Sequence, residues 1–282
     1  MHIPDGFLST PVWAALDAAA APAAAFAARR AQQGFDESKA PLLGVMGAFV
    51  FAAQMINFPV GGGTSGHLLG GALLACTLGP AAASVVMTAI LAIQALMFQD
   101  GGVLALGANV LNMAVAGVLA GYLPYHLLGR GRSRRAAIFA GGVLSVLASA
   151  LLALAELLLS GVRLPASVLG ISLGLFTISA LLEGAITVTV VSALEGIQPG
   201  FVRQPAKGHS FALSAVGLAA ILLTAGGVVF ASTAPDGIEQ LAIQAGVHKP
   251  AANYSGGTGL AGIAAIYLCC LAAGRLVRRR SA

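Results

Sequence analysis

The sequence predicts an all-α integral membrane protein with about nine transmembrane helices. Of the 282 residues, 58% are hydrophobic and only 9% are charged, whereas soluble domains carry roughly 25% charged residues. The mean hydropathy is +0.90. Long apolar runs are separated by short polar segments, and they lack the alternation of a membrane β-barrel. Because a water-soluble globule could not bury so much apolar surface, lipid is the expected solvent.

Each span needs about 20 apolar residues to cross the bilayer core. The clear runs are residues 42–58, 81–98, 103–128, 136–159, 167–194, 211–231 and 260–276. Two others are weaker. Residues 10–28 are rich in alanine and include Asp17, and residues 67–78 form a short run that ends at a helix-breaking Gly-Pro pair. We count both, the second as a short tilted or re-entrant helix, which gives nine segments.

The basic residues predict the orientation of these segments. With the N-terminus outside and nine alternating spans, all but two of the 15 Lys and Arg residues fall on the inner side. The exceptions are Arg163 and Lys249. The positive-inside rule therefore predicts an outer N-terminus and a cytoplasmic C-terminus, in a bacterial cytoplasmic (inner) membrane. Since the basic residues are divided among short loops, the formal charge of +5 does not predict nucleic-acid binding.

The polar segment from Arg203 to Lys207 is the best internal boundary. It predicts a first membrane unit over residues 1–202 and an accessory module over residues 203–282. That module has two spans joined by an outer loop at 232–257. The three cysteines all lie within apolar runs, so neither a disulfide framework nor a cysteine metal site is expected.

The start of the chain offers three nitrogen atoms that can chelate a metal ion. They are the α-amine of Met1, the backbone amide of His2 and the His2 imidazole. With the amide deprotonated, amine and amide close a five-membered ring on a divalent ion, and amide and Nδ1 close a six-membered ring. The three nitrogens then share a plane, which favours Ni(II) or Cu(II) over tetrahedral Zn(II). The alternative is a solvated terminal histidine.

A second imidazole could occupy the open fourth corner, and His67 is the best placed of the five histidines. It follows the glycine-rich loop FPVGGGTSGH, residues 58–67, on the same predicted outer face as Met1 and His2. Glycines let a backbone approach a ligand closely, although they could also merely turn the chain between two helices. The loop is not a phosphate loop, because G-x-x-x-x-G-K-[ST] occurs nowhere in the chain.

Several polar side chains near the outer helix ends could brace such ligands through hydrogen bonds. Polar groups at membrane depth usually face a bundle interior or a cavity, so a purely structural role between helices is an equal alternative. The candidates are Gln54, Asn57, Thr64, Ser65, Gln99, Asp100, Asn109 and Asn112, with Gln94 in the same cluster.

Glu156 and Glu183 are carboxylates within predicted spans. They could serve a proton relay, a coupling site or, as a remote alternative, an intramembrane enzyme; a structural hydrogen bond to a neighbouring helix is the favoured interpretation. No H-E-x-x-H motif and no carboxylate pair at catalytic spacing is present, so we do not expect an enzyme. A passive channel is not expected either, since conduction requires weak binding.

Three separated motifs resemble the NikM/CbiM family, the substrate-binding (S) membrane subunits of energy-coupling-factor (ECF) nickel/cobalt transporters. They are MHIPDGFL at residues 1–8, the segment 57–71 with GGTSGHLLGG, and the segment 100–113 with DGG and LGANVLNM. The first two resemble the nickel branch more than the cobalt branch. The tail, with Pro235-Asp236-Gly237, is similar to the small N-type accessory component, fused here; Ile238 stands where that component often has leucine.

The resemblance implies a seven-helix S component that holds the ion with the Met1 amine, the His2 amide and imidazole, and His67. It also implies partners, a transmembrane coupling (T) subunit and cytoplasmic ATPase subunits, besides membrane lipid. The expected function is capture of Ni(II), the transported substrate, at the outer face and its delivery inward. The alternative substrate is Co(II).

Overall fold

The computed structural model of the protein describes residues 1–33, 40–61, 64–129, 131–163, 165–197, 202 and 237–238. These residues form a helical bundle with one short hairpin. The helices are α1 (Thr10–Gln33), α2 (Ala40–Gln54), α3 (Gly71–Leu78), α4 (Pro80–Ile93), α5 (Leu106–Asn109), α6 (Val118–Leu128), α7 (Arg134–Leu159) and α8 (Ala166–Ile197), and the strands are β1 (Phe58–Gly61) and β2 (Thr64–Gly66). Two π-helical stretches, Gln94–Phe98 and Val110–Gly117, extend α4 and join α5 to α6, and a 3₁₀ turn, Gly131–Ser133, precedes α7.

Five helical segments are long and apolar enough to cross a membrane. They are Thr10–Gln33, Pro80–Phe98, Leu106–Leu128, Gly131–Leu159 and Ala166–Ile197. α2 is shorter, with 15 residues, and α3 has only 8; at 1.5 Å per residue, α3 covers about 12 Å of a hydrocarbon core about 30 Å thick. The protein is therefore an α-helical, multi-pass membrane protein, as its composition predicts. The predicted spans at 211–231 and 260–276 lie outside the described residues.

The ends of two predicted spans differ from the structure for local reasons. The run predicted at 42–58 ends as a helix at Gln54, because the chain enters the hairpin formed by β1 and β2, where Phe58 pairs with Gly66. The run predicted from His67 becomes helical only at Gly71, because Gly70 has a φ of +78°. Glycine adopts this left-handed backbone conformation far more readily than residues with a Cβ atom.

Glycines let α7 pack closely on its neighbours. A Cβ added to Gly142 of α7 would lie 2.6 Å from the Cα of Gly184 in α8, and a Cβ on Gly141 would lie 2.3 Å from the carbonyl oxygen of Gly121 in α6. Small residues at such crossings allow helix backbones to approach each other in a membrane. The position of α8 relative to α7 is therefore fixed beside Glu183.

The N-terminal segment is part of the protein interior. Ile3 and Phe7 belong to an apolar cluster with Leu157 of α7 and Phe176 of α8. The side chain of Ile3 is 0% exposed, and so is that of Ile238, the described tail residue that joins the same cluster. Burial of this apolar surface holds the first residues of the chain against one end of the bundle.

Candidate metal centre

The structure brings together Met1, His2 and His67, the three residues predicted to hold a metal ion. The Met1 α-amine nitrogen lies 2.6 Å from Nε2 of His67. The rings of His2 and His67 are stacked, with centroids 5.2 Å apart and an interplanar angle of 11°. Met1 and His67 are 66 positions apart in the chain, yet the amine of Met1 and the imidazoles of His2 and His67 lie side by side.

The orientation of the His67 ring is set by its own backbone. Nδ1–H donates to the carbonyl oxygen of the next residue, Leu68, at 2.9 Å. With Nδ1 as the donor, Nε2 carries the lone pair that faces the Met1 amine. Histidines that bind metals commonly have the second ring nitrogen bonded in this way, which fixes both the tautomer and the ring plane.

His2 is a buried ring whose nitrogens lack hydrogen-bond partners among the described residues. Its exposed fraction is 3%, and neither Nδ1 nor Nε2 forms a hydrogen bond there. Asp100 Oδ1 lies 3.2 Å from Nδ1, within ion-pairing range, but the angles of a hydrogen bond are not met. Buried polar atoms are rarely left unpaired because this costs free energy. The ring therefore has the capacity to bind a ligand.

Asp100 supplies negative charge beside this pair of rings. Burial of its carboxyl group opposes ionisation, but the nearby His2, His67 and Met1 amine outweigh burial and hold the pKa of Asp100 at about 2. Asp100 is therefore ionised at physiological pH. A cation bound between the rings would find a counter-ion already in place.

Asn109 of α5 holds the backbone of the N-terminal tip. Its Oδ1 accepts a hydrogen bond from the Ile3 amide at 2.8 Å, and its Nδ2 donates to the Ile3 carbonyl at 3.0 Å. The same carbonyl accepts a hydrogen bond from the amide of Gly102 at 2.9 Å. Both polar groups of Ile3 are thus paired, and the adjoining His2 is held in register. These hydrogen bonds are compatible with the bracing role of Asn109, which stays a prediction.

The loop that follows Asp100 is fastened by two acidic residues near the chain start. The Asp5 carboxylate accepts hydrogen bonds from the amides of residues 103, 104 and 105 at 3.1, 2.8 and 3.3 Å, and Asp17 of α1 accepts one from Gly107 at 2.7 Å. A Cβ on Gly102 would lie 2.1 Å from Asp5 Oδ1. The two glycines after Asp100 therefore permit a close approach that any larger residue would block.

The backbone that follows His67 is held by Gln54 and Glu183. Gln54 Nε2 donates to the Leu69 carbonyl at 2.7 Å, and Gln94 in turn donates to Gln54 Oε1 at 2.8 Å. The Glu183 carboxylate accepts hydrogen bonds from the amides of Leu69 and Gly70 at 2.7 and 2.8 Å. The favoured interpretation of Glu183, a structural hydrogen bond, missed that its partner is the His67 loop.

The other predicted bracing residues are distributed differently. Thr64 and Ser65 are buried in β2, directly before the His67 turn. Asn112 donates to Glu156 at 2.7 Å, deeper in the bundle. The side chains of Asn57 and Gln99 form no hydrogen bond with any described residue, and Gln99 is exposed. Gln99 contributes through its backbone, which has a φ of +55°, donates to the Gln94 carbonyl and ends the π-helical stretch.

Replacing Asn109 by alanine is expected to destabilise the protein by about 1–3 kcal/mol, because the buried Ile3 amide loses its acceptor. Thermal unfolding of the purified protein in detergent measures this loss. Asn57→Ala is the matched control, since it removes the same amide group where no described residue bonds to it, and it should leave the melting temperature unchanged. Equal melting temperatures for both variants would contradict the bracing role of Asn109.

Main-chain nitrogens add donors to the two imidazoles at this point. Within the described part of the chain, no group of three or more His, Cys, Asp or Glu side chains is arranged to hold a metal ion. Two imidazoles alone make a weak site. The Met1 amine, already 2.6 Å from His67 Nε2, is the additional donor that the geometry offers.

Comparisons with known proteins point to one family. A family model described as cobalt uptake substrate-specific transmembrane region (CbiM) matches residues 2–201. The chain is similar to a putative fused nickel transport protein NikMN of Archaeoglobus fulgidus, at 36% identity over 221 residues, which cover 77% of this chain and 72% of that protein. It is also similar to a cobalt transport protein CbiM of Thermosediminibacter oceani, at 38% identity over 169 residues, which cover 57% of this chain and 69% of that protein. A crystal structure described as a truncated transition metal transporter matches with a TM-score of 0.54 and 33% identity, covering 70% of this chain and 99% of that one.

Proposed function

Because the chain belongs to the CbiM family of substrate-specific transmembrane proteins, we propose that it captures Ni(II) at the outer face of the membrane and passes it inward. Membership makes it the substrate-specific membrane subunit of an ECF-type nickel/cobalt transporter, and not an enzyme. What the family does not decide is which ion this chain selects and which of its atoms hold that ion.

The 2.6 Å separation between the Met1 amine and His67 Nε2 carries the proposal for the ligand set. At metal–nitrogen distances of about 2.0 Å, neighbouring corners of a square plane lie about 2.8 Å apart. The amine and the imidazole are thus already spaced as adjacent ligands. The His2 amide and its Nδ1 complete the square through the two chelate rings.

The charge balance also supports this arrangement. Ni(II) bound to one deprotonated amide carries a net charge of +1, and a buried charge needs a partner. Asp100, ionised and 3.2 Å from His2 Nδ1, provides an equal and opposite charge. The complex is then neutral overall, which suits a site that opens towards a low-dielectric bundle.

Planar coordination through an amide nitrogen favours Ni(II) over Co(II). Co(II) prefers more ligands in an octahedral arrangement, and it binds nitrogen donors less strongly than Ni(II) does. The name of the Archaeoglobus relative points to nickel, and that of the Thermosediminibacter relative points to cobalt. Names alone leave both ions open, so Co(II) is the second candidate, and the donor set of this chain is what favours nickel.

The remaining features of the proposal concern assembly. We propose that the N-terminus faces outward, that nine segments cross or enter a bacterial cytoplasmic membrane, and that residues 203–282 form a fused two-helix accessory module after the substrate unit at 1–202. Delivery would use a transmembrane coupling subunit and cytoplasmic ATPases, since the chain has no phosphate loop of its own. The salt bridge between Arg134 and Glu195 would mark the cytoplasmic end, because both residues lie at the ends of α7 and α8 remote from the N-terminal tip.

Titration calorimetry of the purified protein with Ni(II), Co(II), Cu(II) and Zn(II) tests the proposal. We expect one Ni(II) ion per chain and a yellow absorption band typical of square-planar nickel. His67→Ala and His2→Ala should each weaken Ni(II) binding by at least about a hundredfold, since a chelated donor acts at a high effective concentration. Nickel binding that survives both substitutions would contradict the four-nitrogen site, and tighter binding of Co(II) than of Ni(II) would select the second candidate.

A further inference from the structure

We propose that Glu183 of α8 is a positioning residue that fixes the direction in which His67 presents Nε2 to the transported ion. The inference deepens the proposed function and rests on it. Glu183 is 114 positions from Leu69 in the chain, and its side chain is 2% exposed. No feature of the sequence around it marks it as part of a metal centre.

The two carboxylate oxygens of Glu183 each accept a hydrogen bond from one of two consecutive backbone amides. Oε2 accepts from the Leu69 amide at 2.7 Å, and Oε1 accepts from the Gly70 amide at 2.8 Å. These are short, well-formed hydrogen bonds to an acceptor that can be charged, which makes them stronger than neutral ones. Because Gly70 has a left-handed backbone, a φ of +78°, the turn presents both amides to one carboxylate.

The two hydrogen bonds from Leu69 and Gly70 to Glu183, called the clamp below, lie next to the carbonyl group that orients the His67 ring. His67 Nδ1 donates to the carbonyl of Leu68, and the next peptide group along the chain supplies the Leu69 amide that Glu183 holds. The Leu68 carbonyl and the Leu69 amide belong to the same peptide plane. Movement of the carboxylate would therefore rotate the carbonyl that holds the His67 ring, and with it the Nε2 lone pair.

α8 contacts the other side of His67 as well. A Cβ added to Gly66 would lie 3.0 Å from Ser179 Oγ, and Ser179 is one helical turn before Glu183. Gly66, the residue before His67, thus lies against the same helix that bonds to Leu69 and Gly70 after it. Since Gly142 and Gly184 fix α8 against α7 immediately beside Glu183, the clamp is anchored to the rigid part of the bundle.

Glu156 shows that an ordinary buried carboxylate in this protein behaves differently. It is buried in α7 and accepts a hydrogen bond from the Asn112 side chain at 2.7 Å, with no hydrogen bond to the His67 loop. Both glutamates are buried within long helices, but Glu156 bonds to a side chain and Glu183 bonds to the backbone after His67. Glu156→Gln is therefore the matched control for Glu183→Gln.

The test compares Ni(II) binding by the full chain and its variants through calorimetry and through the nickel absorption band. Glutamine at position 183 keeps the size of the side chain but offers only one acceptor oxygen, so one of the two amides faces an NH₂ group. We expect Glu183→Gln to weaken Ni(II) binding about 10–100-fold, the usual effect of losing an outer partner of a metal ligand, and to shift the absorption band because the His67 ring turns. Glu156→Gln should bind Ni(II) within about threefold of the wild-type affinity and keep the wild-type absorption band. Glu156 has no hydrogen bond to the His67 loop, and only groups bonded to a metal ligand or its loop are expected to affect the bound ion.

A double-mutant cycle separates positioning from general structure. If Glu183 acts through His67, then Glu183→Gln should have no further effect on nickel binding in the His67→Ala background. Should Glu183→Gln not fold, Glu183→Asp replaces it. This variant keeps the charge but shortens the side chain by one methylene, so the carboxylate cannot reach both amides. We expect the same loss of affinity and the same change of the absorption band.

Each result decides the inference. Wild-type affinity and an unchanged band in the folded position-183 variant overturn it, as does an equal loss of affinity with and without His67. Failure of the wild-type chain to bind nickel is a separate result, which removes the proposed function and this inference with it.

Discussion

An extension of several residues before Met1 is expected to weaken Ni(II) binding by at least about a thousandfold, because it carries the primary amine away from the site and leaves an amide at the first corner. The expectation follows from the position of the Met1 nitrogen, 2.6 Å from His67 Nε2. The extension also has little room, since His2 and Ile3 are buried directly behind the tip. Calorimetry on purified extended and unextended chains measures the effect.

The proper control places the same extension at the other end of the sequence, after Ala282, where we expect wild-type affinity. A second control removes the extension with a protease that leaves Met1 as the first residue, which should restore binding in the same preparation. An extended chain that binds nickel as tightly as the unextended one would show that the amine is not a ligand. The ion would then have to be held without that nitrogen.

The sequence was sufficient to predict that Met1, His2 and His67 lie together, because chemistry, rather than folding, marks them. Met1 and His2 are adjacent, and their chelate geometry follows from covalent structure; His67 is distinguished by its glycine-rich approach. The long helices were also predictable, since hydropathy registers their length: α7, predicted at 136–159, spans Arg134–Leu159, and α8, predicted at 167–194, spans Ala166–Ile197. Both properties are local in the chain.

What the sequence could not reveal is which distant groups hold the ligands in place. Glu183 bonds to residues more than 110 positions away, and Asp5 bonds to a loop about 100 positions away. Such pairings depend on how helices pack, and a periodic apolar pattern carries no information about them. Asn57 and Gln99 illustrate the converse, because proximity in sequence to the motifs made them candidates although neither side chain forms a hydrogen bond with the described residues.

The hairpin and the π-helical stretches were missed for a related reason. β1 and β2 have only four and three residues, too few for a period-two pattern to appear against glycine-rich sequence. The π-helical stretch at Val110–Gly117 reads as ordinary helix in composition. π-bulges inside helices are frequent at functional sites, and this one directly follows Asn109, which bonds to the N-terminal tip.

The affinity for Ni(II) is expected to fall about a hundredfold for each unit of pH below neutrality, since each proton released on binding contributes a factor of ten per unit. In the proposed site nickel replaces two protons, one on the Met1 amine nitrogen and one on the His2 amide nitrogen. Asp100 adds nothing to the slope, because its pKa is held at about 2 and the carboxylate stays ionised throughout.

Calorimetry in buffers with different enthalpies of protonation counts these protons directly, and we expect a value of about two per nickel ion at neutral pH. His67→Ala should release the same number, although it binds nickel less tightly, because the two groups that lose protons are intact in that variant. A count of about one would mean that the amide keeps its proton. The planar site would then lose one corner and with it the physical basis for choosing nickel over cobalt, so the proton count tests the ligand set and the identity of the transported ion together.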